Sequence, residues 1–422
     1  MPTHPKMEHP DGGTAMNIPR KRATIGVAAI AALTMPLVVI SAAAPAAGTS
    51  AVASQPAADV ATAVTYAPQS GPIGQHPTAT GAQSSPIRRA ILDNIAHTPQ
   101  QQTIRVVAWN FDDQGITTAL INAHRRGVHV QVLVWDQNCG SGTVHLRAVL
   151  GVSGDASFFK CIQNSARGPE GKGQLHQKSF TFSRTGTASH VSLVTSYNPT
   201  DHANENQYNV ALQFVNNQTM HDDLKALFVQ QTADQPRPAQ CQTAAANDGR
   251  LFQHFFNGYG VMAYPLDCIA EDPLITRLRT IPNPDHAVIR VATSGLTNER
   301  ARRIAEELVR LRKAGAWVKV MHTAGAGPVV RSILDEGGVT RLDTQTCGGA
   351  PANDVSFNHS KMLLVSYLSA GTRTYRSWVG SDNMADSSIN SDELMVQVPQ
   401  QVHYEALTDF FDFTWQREAA QC

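Results

Sequence analysis

The pattern of apolar and polar positions states itself twice along this chain. Ser85-Pro86 opens a helical stretch over Ile87–Ile95, and Asp272-Pro273 opens another over Leu274–Arg279. Each sets an N-cap side chain ahead of a proline at the first helical position. Runs rich in β-branched residues follow, Ile104–Val107 and Val288–Val291, as a strand requires. Helical stretches then end on a basic cluster and a glycine, Ala119 to Gly127 and Ile304 to Gly315, where glycine relieves the left-handed turn that terminates a helix. Strands resume at once over Val128–Val132 and Ala316–Val320. This strand–helix–strand order with tight connections predicts an α/β fold of two pseudo-symmetric halves, each with a parallel or mixed sheet. Closing strands are expected over Val210–Val215 and Leu394–Val398.

Between those elements each half carries a long loop, 136–174 and 323–357, that ends in a histidine motif. The motifs read Leu175-His176-Gln177-Lys178 and Asn358-His359-Ser360-Lys361. Ser196-Tyr197-Asn198 and Ser381-Asp382-Asn383 stand downstream, their asparagines 22 and 24 residues after the histidines. A lone HxK carries no information, since His4-Pro5-Lys6 is another. The signal is HxK on an expected strand, followed by SxN, in both copies of one α/β pattern. Residues i and i+2 of a strand share a face, so His and Lys of each motif are expected to project together.

The flanks change the picture of where the chain works. Arg20, Lys21 and Arg22 precede an apolar run from Ala23 to Ala44 and an Ala-Pro-Ala-Ala-Gly stretch, the layout of an export signal over 1–46. Residues 47–84 read as a disordered spacer, 85–235 as the first half, 236–270 as a connecting segment and 271–422 as the second half. Six cysteines, Cys139, Cys161, Cys241, Cys268, Cys347 and Cys422, all follow the signal, and an exported chain with an even number predicts three disulfides. Proximity favours Cys139–Cys161 and Cys241–Cys268, leaving Cys347–Cys422, although six cysteines allow many other pairings.

Charge restricts the partners. Lys+Arg and Asp+Glu are both 34, and loss of the leader removes more basic than acidic residues. A polynucleotide partner normally demands a basic surface, so no stable nucleic-acid complex is expected. Hydrophobic residues at 42% suffice for a sizeable core.

Duplicated HxK and SxN motifs on α/β halves resemble the phospholipase D superfamily, over most of the chain from about Ser85 to Phe413. The resemblance implies two halves sharing one active site at their interface. His176, Lys178, Asn198, His359, Lys361 and Asn383 then form the catalytic set, with Ser196 and Ser381 beside the substrate. It further implies attack on phosphorus by His176, protonation of the leaving oxygen by His359, and no metal or other cofactor. An acidic residue ten or eleven positions after the SxN asparagine is also implied. Glu393 fits and reads as the group that orients His359, whereas the matching first-half position is Asn209. The superfamily aspartates after each HxK are replaced by Ser183 and Ser366.

The chemistry stands without the resemblance. A phosphodiester transition state spreads negative charge over its equatorial oxygens, which two lysines and two amides can stabilise. One imidazole can attack while another, protonated, serves as acid. The expected activity is that of a secreted, monomeric phosphodiesterase of phospholipase D type that cleaves or transfers phospholipid head groups. The aromatic segment Leu251–Phe256 is its candidate for transient membrane contact. The alternatives are an exported nuclease of the same superfamily and a catalytically silent binding protein.

Overall fold

The computed structural model describes residues 65–77, 85–236, 251–266, 272–324, 326–344 and 356–420. The expected signal and the four cysteines Cys241, Cys268, Cys347 and Cys422 lie outside the described residues. Cys139 and Cys161 form the expected disulfide.

The first half contributes β1 (Gly71–Gln75), β2 (Thr103–Ala108), β3 (His129–Trp135), β4 (Phe158–Ile162), β5 (Ser179–Thr185), β6 (Ala188–Thr195) and β7 (Gln207–Phe214). The second contributes β8 (Phe252–Phe256), β9 (Tyr259–Ala263), β10 (Val288–Gly295), β11 (Trp317–Ala324), β12 (Thr340–Asp343), β13 (Phe357–Asn358), β14 (Met362–Ser369), β15 (Thr372–Gly380) and β16 (Leu394–Val398). The sheet orders are β4-β3-β2-β5-β6-β7-β1 and β12-β11-β10-β14-β15-β16-β9-β8. Both are mixed: β2 is parallel to β3 and antiparallel to β5, as β10 is to β11 and β14. The duplication read from the sequence is therefore a duplication of topology.

Strand alternation divides the apolar side chains between two environments. Leu363 and Val365 of β14 face helices, with Leu274 and Leu278 of the helix Pro273–Arg279. Met362 and Leu364 of the same strand meet Val194, Val210 and Leu212 of the other half in a shared inter-sheet core. Each such buried side chain contributes roughly 1.5–3 kcal/mol, and the shared core joins the halves into one body.

Three expectations need correction. The spacer assigned to 47–84 contains β1, which among the described residues is an edge strand paired only with β7. Its sequence, Gly-Pro-Ile-Gly-Gln, lacks alternation, but an edge strand tolerates proline. Gly74 is required there, because a Cβ would stand 2.4 Å from the Phe410 ring. The connecting segment assigned to 236–270 holds β8 and β9, which complete the second sheet. Within the aromatic segment Leu251–Phe256, Phe252–Phe256 form β8, with Phe252 and Phe256 packed on the inter-sheet core and Phe255 exposed. Finally, β5 and β14 begin at Ser179 and Met362, just beyond the HxK motifs, which lie on the approach to the strands.

Candidate active site

The HxK segments leave their own sheets because each pairs with the opposite half. Leu175 makes a parallel bridge to Asp392, and the amides of His176 and Gln177 both donate to the Asp392 carbonyl, at 3.0 and 2.7 Å. In the matching exchange, β13 pairs in parallel with β7, and the His359 amide donates to the Tyr208 carbonyl at 2.9 Å. Each histidine is thereby set against the residue that follows its backbone partner, Glu393 for His176 and Asn209 for His359.

The side chains follow. His176 Nδ1 lies 2.7 Å from Glu393 Oε1, and His359 Nδ1 lies 2.9 Å from Asn209 Oδ1. Glu393 thus holds His176 and not His359, which corrects the expectation drawn from its position after the second SxN motif. The cause is the crossed backbone pairing, which carries each closing strand to the other half's histidine. An amide oxygen only accepts, so Asn209 fixes the proton of neutral His359 on Nδ1 and leaves Nε2 as a lone pair. The carboxylate imposes the same tautomer on His176.

The SxN serines hold these orienting groups. Ser196 Oγ donates to Asn209 Oδ1 at 2.8 Å and accepts the Val210 amide at 3.1 Å. Ser381 Oγ donates to Glu393 Oε2 and accepts the Leu394 amide at 3.0 Å. Both serines are buried, so their bonds go to the positioning groups and not to an open substrate site. Asn198 is buried, its side-chain oxygen without a hydrogen-bond partner among the described residues, and Asn383 Oδ1 accepts from Ser294 Oγ at 2.6 Å.

Lys178 and Lys361 are fully buried. Lys361 Nζ donates to the His359 carbonyl at 2.7 Å, and Lys178 Nζ to the His176 carbonyl. Burial pushes Lys178 down to about 7, with Glu393 opposing the shift. Burial and the neighbouring Lys178 push Lys361 well below the ordinary lysine range. Burial also lowers both imidazoles. Glu393 offsets this for His176, whereas Lys361 and Lys178 deepen it for His359. Two lysines sharing a buried site with little negative charge form an anion receptor.

Several contributors carry no motif. Asp392 is buried and bound by Arg167 Nε at 2.7 Å and Ser165 Oγ at 2.6 Å, tying a first-half loop to the residue before Glu393. Trp109 donates its indole N–H to Gln174 at 2.6 Å, stands edge-on to His176 at 5.5 Å and carries Lys178 Nζ at 5.7 Å from its ring centre. Trp135 stacks against Trp109 at 5.8 Å. Their positions at the C-terminal ends of adjacent parallel strands, where α/β sheets place ligands, were the available signal. Ser183 accepts the Thr103 amide at 2.8 Å and donates to Gln102 at 3.0 Å, which makes it a fastener between β5 and β2.

Residues 91–231 match the family model described as cardiolipin synthase, PLD-like domain. The fold is shared with phosphatidylserine synthase from Haemophilus influenzae, with a TM-score of 0.50 at 11% identity over 79% of this chain and 83% of that one. Polyphosphate kinase from Porphyromonas gingivalis gives 0.49 at 15% identity over 82% of this chain, which spans 50% of the kinase. Nuc from Salmonella typhimurium, a phospholipase D family member, gives 0.28 at 18% identity over 38% of this chain and 93% of its own. No protein of curated function matches the sequence. Residues 91–231 thus match a PLD-like domain, the same topology repeats in the second half, and both HxK motifs meet between the two.

Proposed function

We propose that this protein cleaves phosphodiesters through a covalent phosphohistidine, without a metal ion, and that its substrates are phospholipids from which it removes or exchanges the head group. The crossed orientation of the two imidazoles carries this reading. His176 Nε2 attacks phosphorus, and the bond from phosphorus to the leaving oxygen breaks. The attacking nitrogen becomes cationic as the P–N bond forms, and the Glu393 carboxylate at its Nδ1 compensates that charge. His359, protonated once the diester anion occupies the site, gives its Nε2 proton to the leaving oxygen. A neutral amide at its Nδ1 does not stabilise the imidazolium as a carboxylate would, so His359 remains a strong acid. In the second step neutral His359 takes a proton from water as the water oxygen bonds phosphorus and the P–N bond breaks. An alcohol in place of water gives head-group exchange.

Lys178 and Lys361, with the amides of Asn198 and Asn383, supply the charge and donors for the non-bridging oxygens. For the substrate class, the support is the equal count of basic and acidic residues, which offers no excess for a polynucleotide backbone, and the apolar flank formed by Trp109 and Trp135. The test presents purified protein with phosphatidylcholine vesicles and with plasmid DNA, both in EDTA. Release of choline with the plasmid left intact is expected. Plasmid cleavage without choline release would select the nuclease alternative, and activity that needs added metal would defeat the mechanism.

A further inference from the structure

The second half encloses a cavity of about 170 Å³ between the helix Pro273–Arg279 and the helix-facing side of β14, β15 and β16. Leu363, Val365 and Trp378 give it an apolar wall, and Arg277 and Arg376 add two positive charges. Both arginines are half-buried. Arg277 lies over the Phe255 ring at 4.2 Å, and its Nε is buried with no hydrogen-bond partner among the described residues. Arg376 donates to the adjacent Tyr375 carbonyl at 2.7 Å. Among the described residues neither arginine has an ion-pair partner. Burial and the neighbouring Arg376 push the Arg277 guanidinium below its ordinary value.

Duplication supplies an internal control for these residues. Strand register places Phe180 and Phe182 where the second half has Leu363 and Val365, and Val191 and Leu193 where it has Arg376 and Trp378. Counting from the N-caps Ser85 and Asp272, Ala90 occupies the position of Arg277. The first half therefore fills this place with apolar side chains, two of them phenylalanine rings packed in the core. The second half has smaller residues on β14 and two guanidinium groups beside them. Unpaired guanidinium groups at a partly desolvated apolar cavity cost folding energy, which an anion with an apolar substituent would offset.

We propose that this cavity is a second ligand site, separate from the histidine pair, that binds a phosphate monoester carrying an alkyl chain: the phosphate between Arg277 and Arg376, the chain against Leu363, Val365 and Trp378. Two guanidinium forks match phosphate oxygens, and loss of one charge-assisted contact reduces affinity roughly tenfold or more. The site does not depend on the catalytic reading, and its test measures binding alone.

Isothermal titration of the full chain with hexyl phosphate, with inorganic phosphate in a parallel arm, tests the proposal for a soluble ligand. Sedimentation with phosphatidylcholine vesicles, with and without phosphatidic acid, tests it for a ligand reached from a bilayer. Phosphate also suits the lysines of the histidine site, so the reading is the difference between the parent and Arg277→Ala, Arg376→Ala and the double variant. The double variant should lose one class of hexyl phosphate sites, or the phosphatidic acid-dependent vesicle binding, while cleaving a diester at the parent's rate. Arg277→Lys, which keeps the charge, should retain measurable binding, and Arg277→Ala should melt no lower than the parent. Unchanged binding by the double variant in both arms would overturn the proposal. So would inorganic phosphate binding the arginine site as tightly as hexyl phosphate, or an Arg277→Ala variant that melts well below the parent and still binds.

Discussion

Glu393 and His176 are 217 residues apart in the chain and in opposite halves, yet their side chains meet at 2.7 Å. Each histidine is completed by the half it does not belong to, so the site exists only when both closing strands have crossed. The two partners differ in charge, a carboxylate for His176 and an amide for His359, and that difference separates the proposed nucleophile from the proposed acid.

Substitution at the two orienting positions should therefore give different signatures. Glu393→Gln should slow cleavage by about 10²–10⁴-fold on both alkyl and p-nitrophenyl diesters, because it weakens the nucleophile used with either. Asn209→Ala should slow alkyl diesters far more than p-nitrophenyl diesters, whose leaving group needs no proton. Steady-state rates on both substrates check this. If Glu393→Gln spared the p-nitrophenyl ester, the assignment of Glu393 to the nucleophile would fail.

Lys178 gives a pH signature with a definite sign. Its folded value near 7 lies far below that of an unfolded lysine, about 10.4. Between those values the unfolded chain binds more protons, so this residue's destabilising effect is full below pH 7 and fades as pH rises toward 10. Lys178→Met should raise the melting temperature relative to the parent at pH 6, and the advantage should shrink by pH 9. Binding a diester anion restores the charge. Titration at pH 8 in buffers of different ionisation enthalpy should therefore show proton uptake, and proton release would contradict the account.

The sequence made the duplication legible because turn chemistry, β-branched runs and the HxK and SxN motifs recur in order. It also exposed the contrast between Glu393 and Asn209. What it hid was the crossing. Nothing local to Glu393 tells that Asp392, one residue earlier, accepts the His176 and Gln177 amides, since parallel pairing between distant segments leaves no period in either. Proximity in sequence assigned Glu393 to the histidine of its own half. Strand β1 was missed for a related reason: a short edge strand with two glycines and a proline owes its conformation to β7 and Phe410, not to its own composition.

The bond between Arg167 and Asp392 links the halves beside this crossing. Removing one partner of a buried pair typically costs about 3–5 kcal/mol. Asp392→Ala should lose stability of that order in urea unfolding and lose activity as well, because Glu393 follows it directly. A change within about 0.5 kcal/mol with full activity would show that the strut does not position the site.

Covalent attack by His176 is tested most directly by acid-quenched trapping of the phosphoenzyme from a p-nitrophenyl diester, with the modified peptide mapped by mass spectrometry. His359→Ala should accumulate the adduct, because attack on this ester needs no acid but breakdown needs the base, and the modified residue should be His176. His176→Ala should form none. An adduct on His359 would reverse the roles, and turnover by the parent with no adduct in parent or variants would contradict the covalent mechanism.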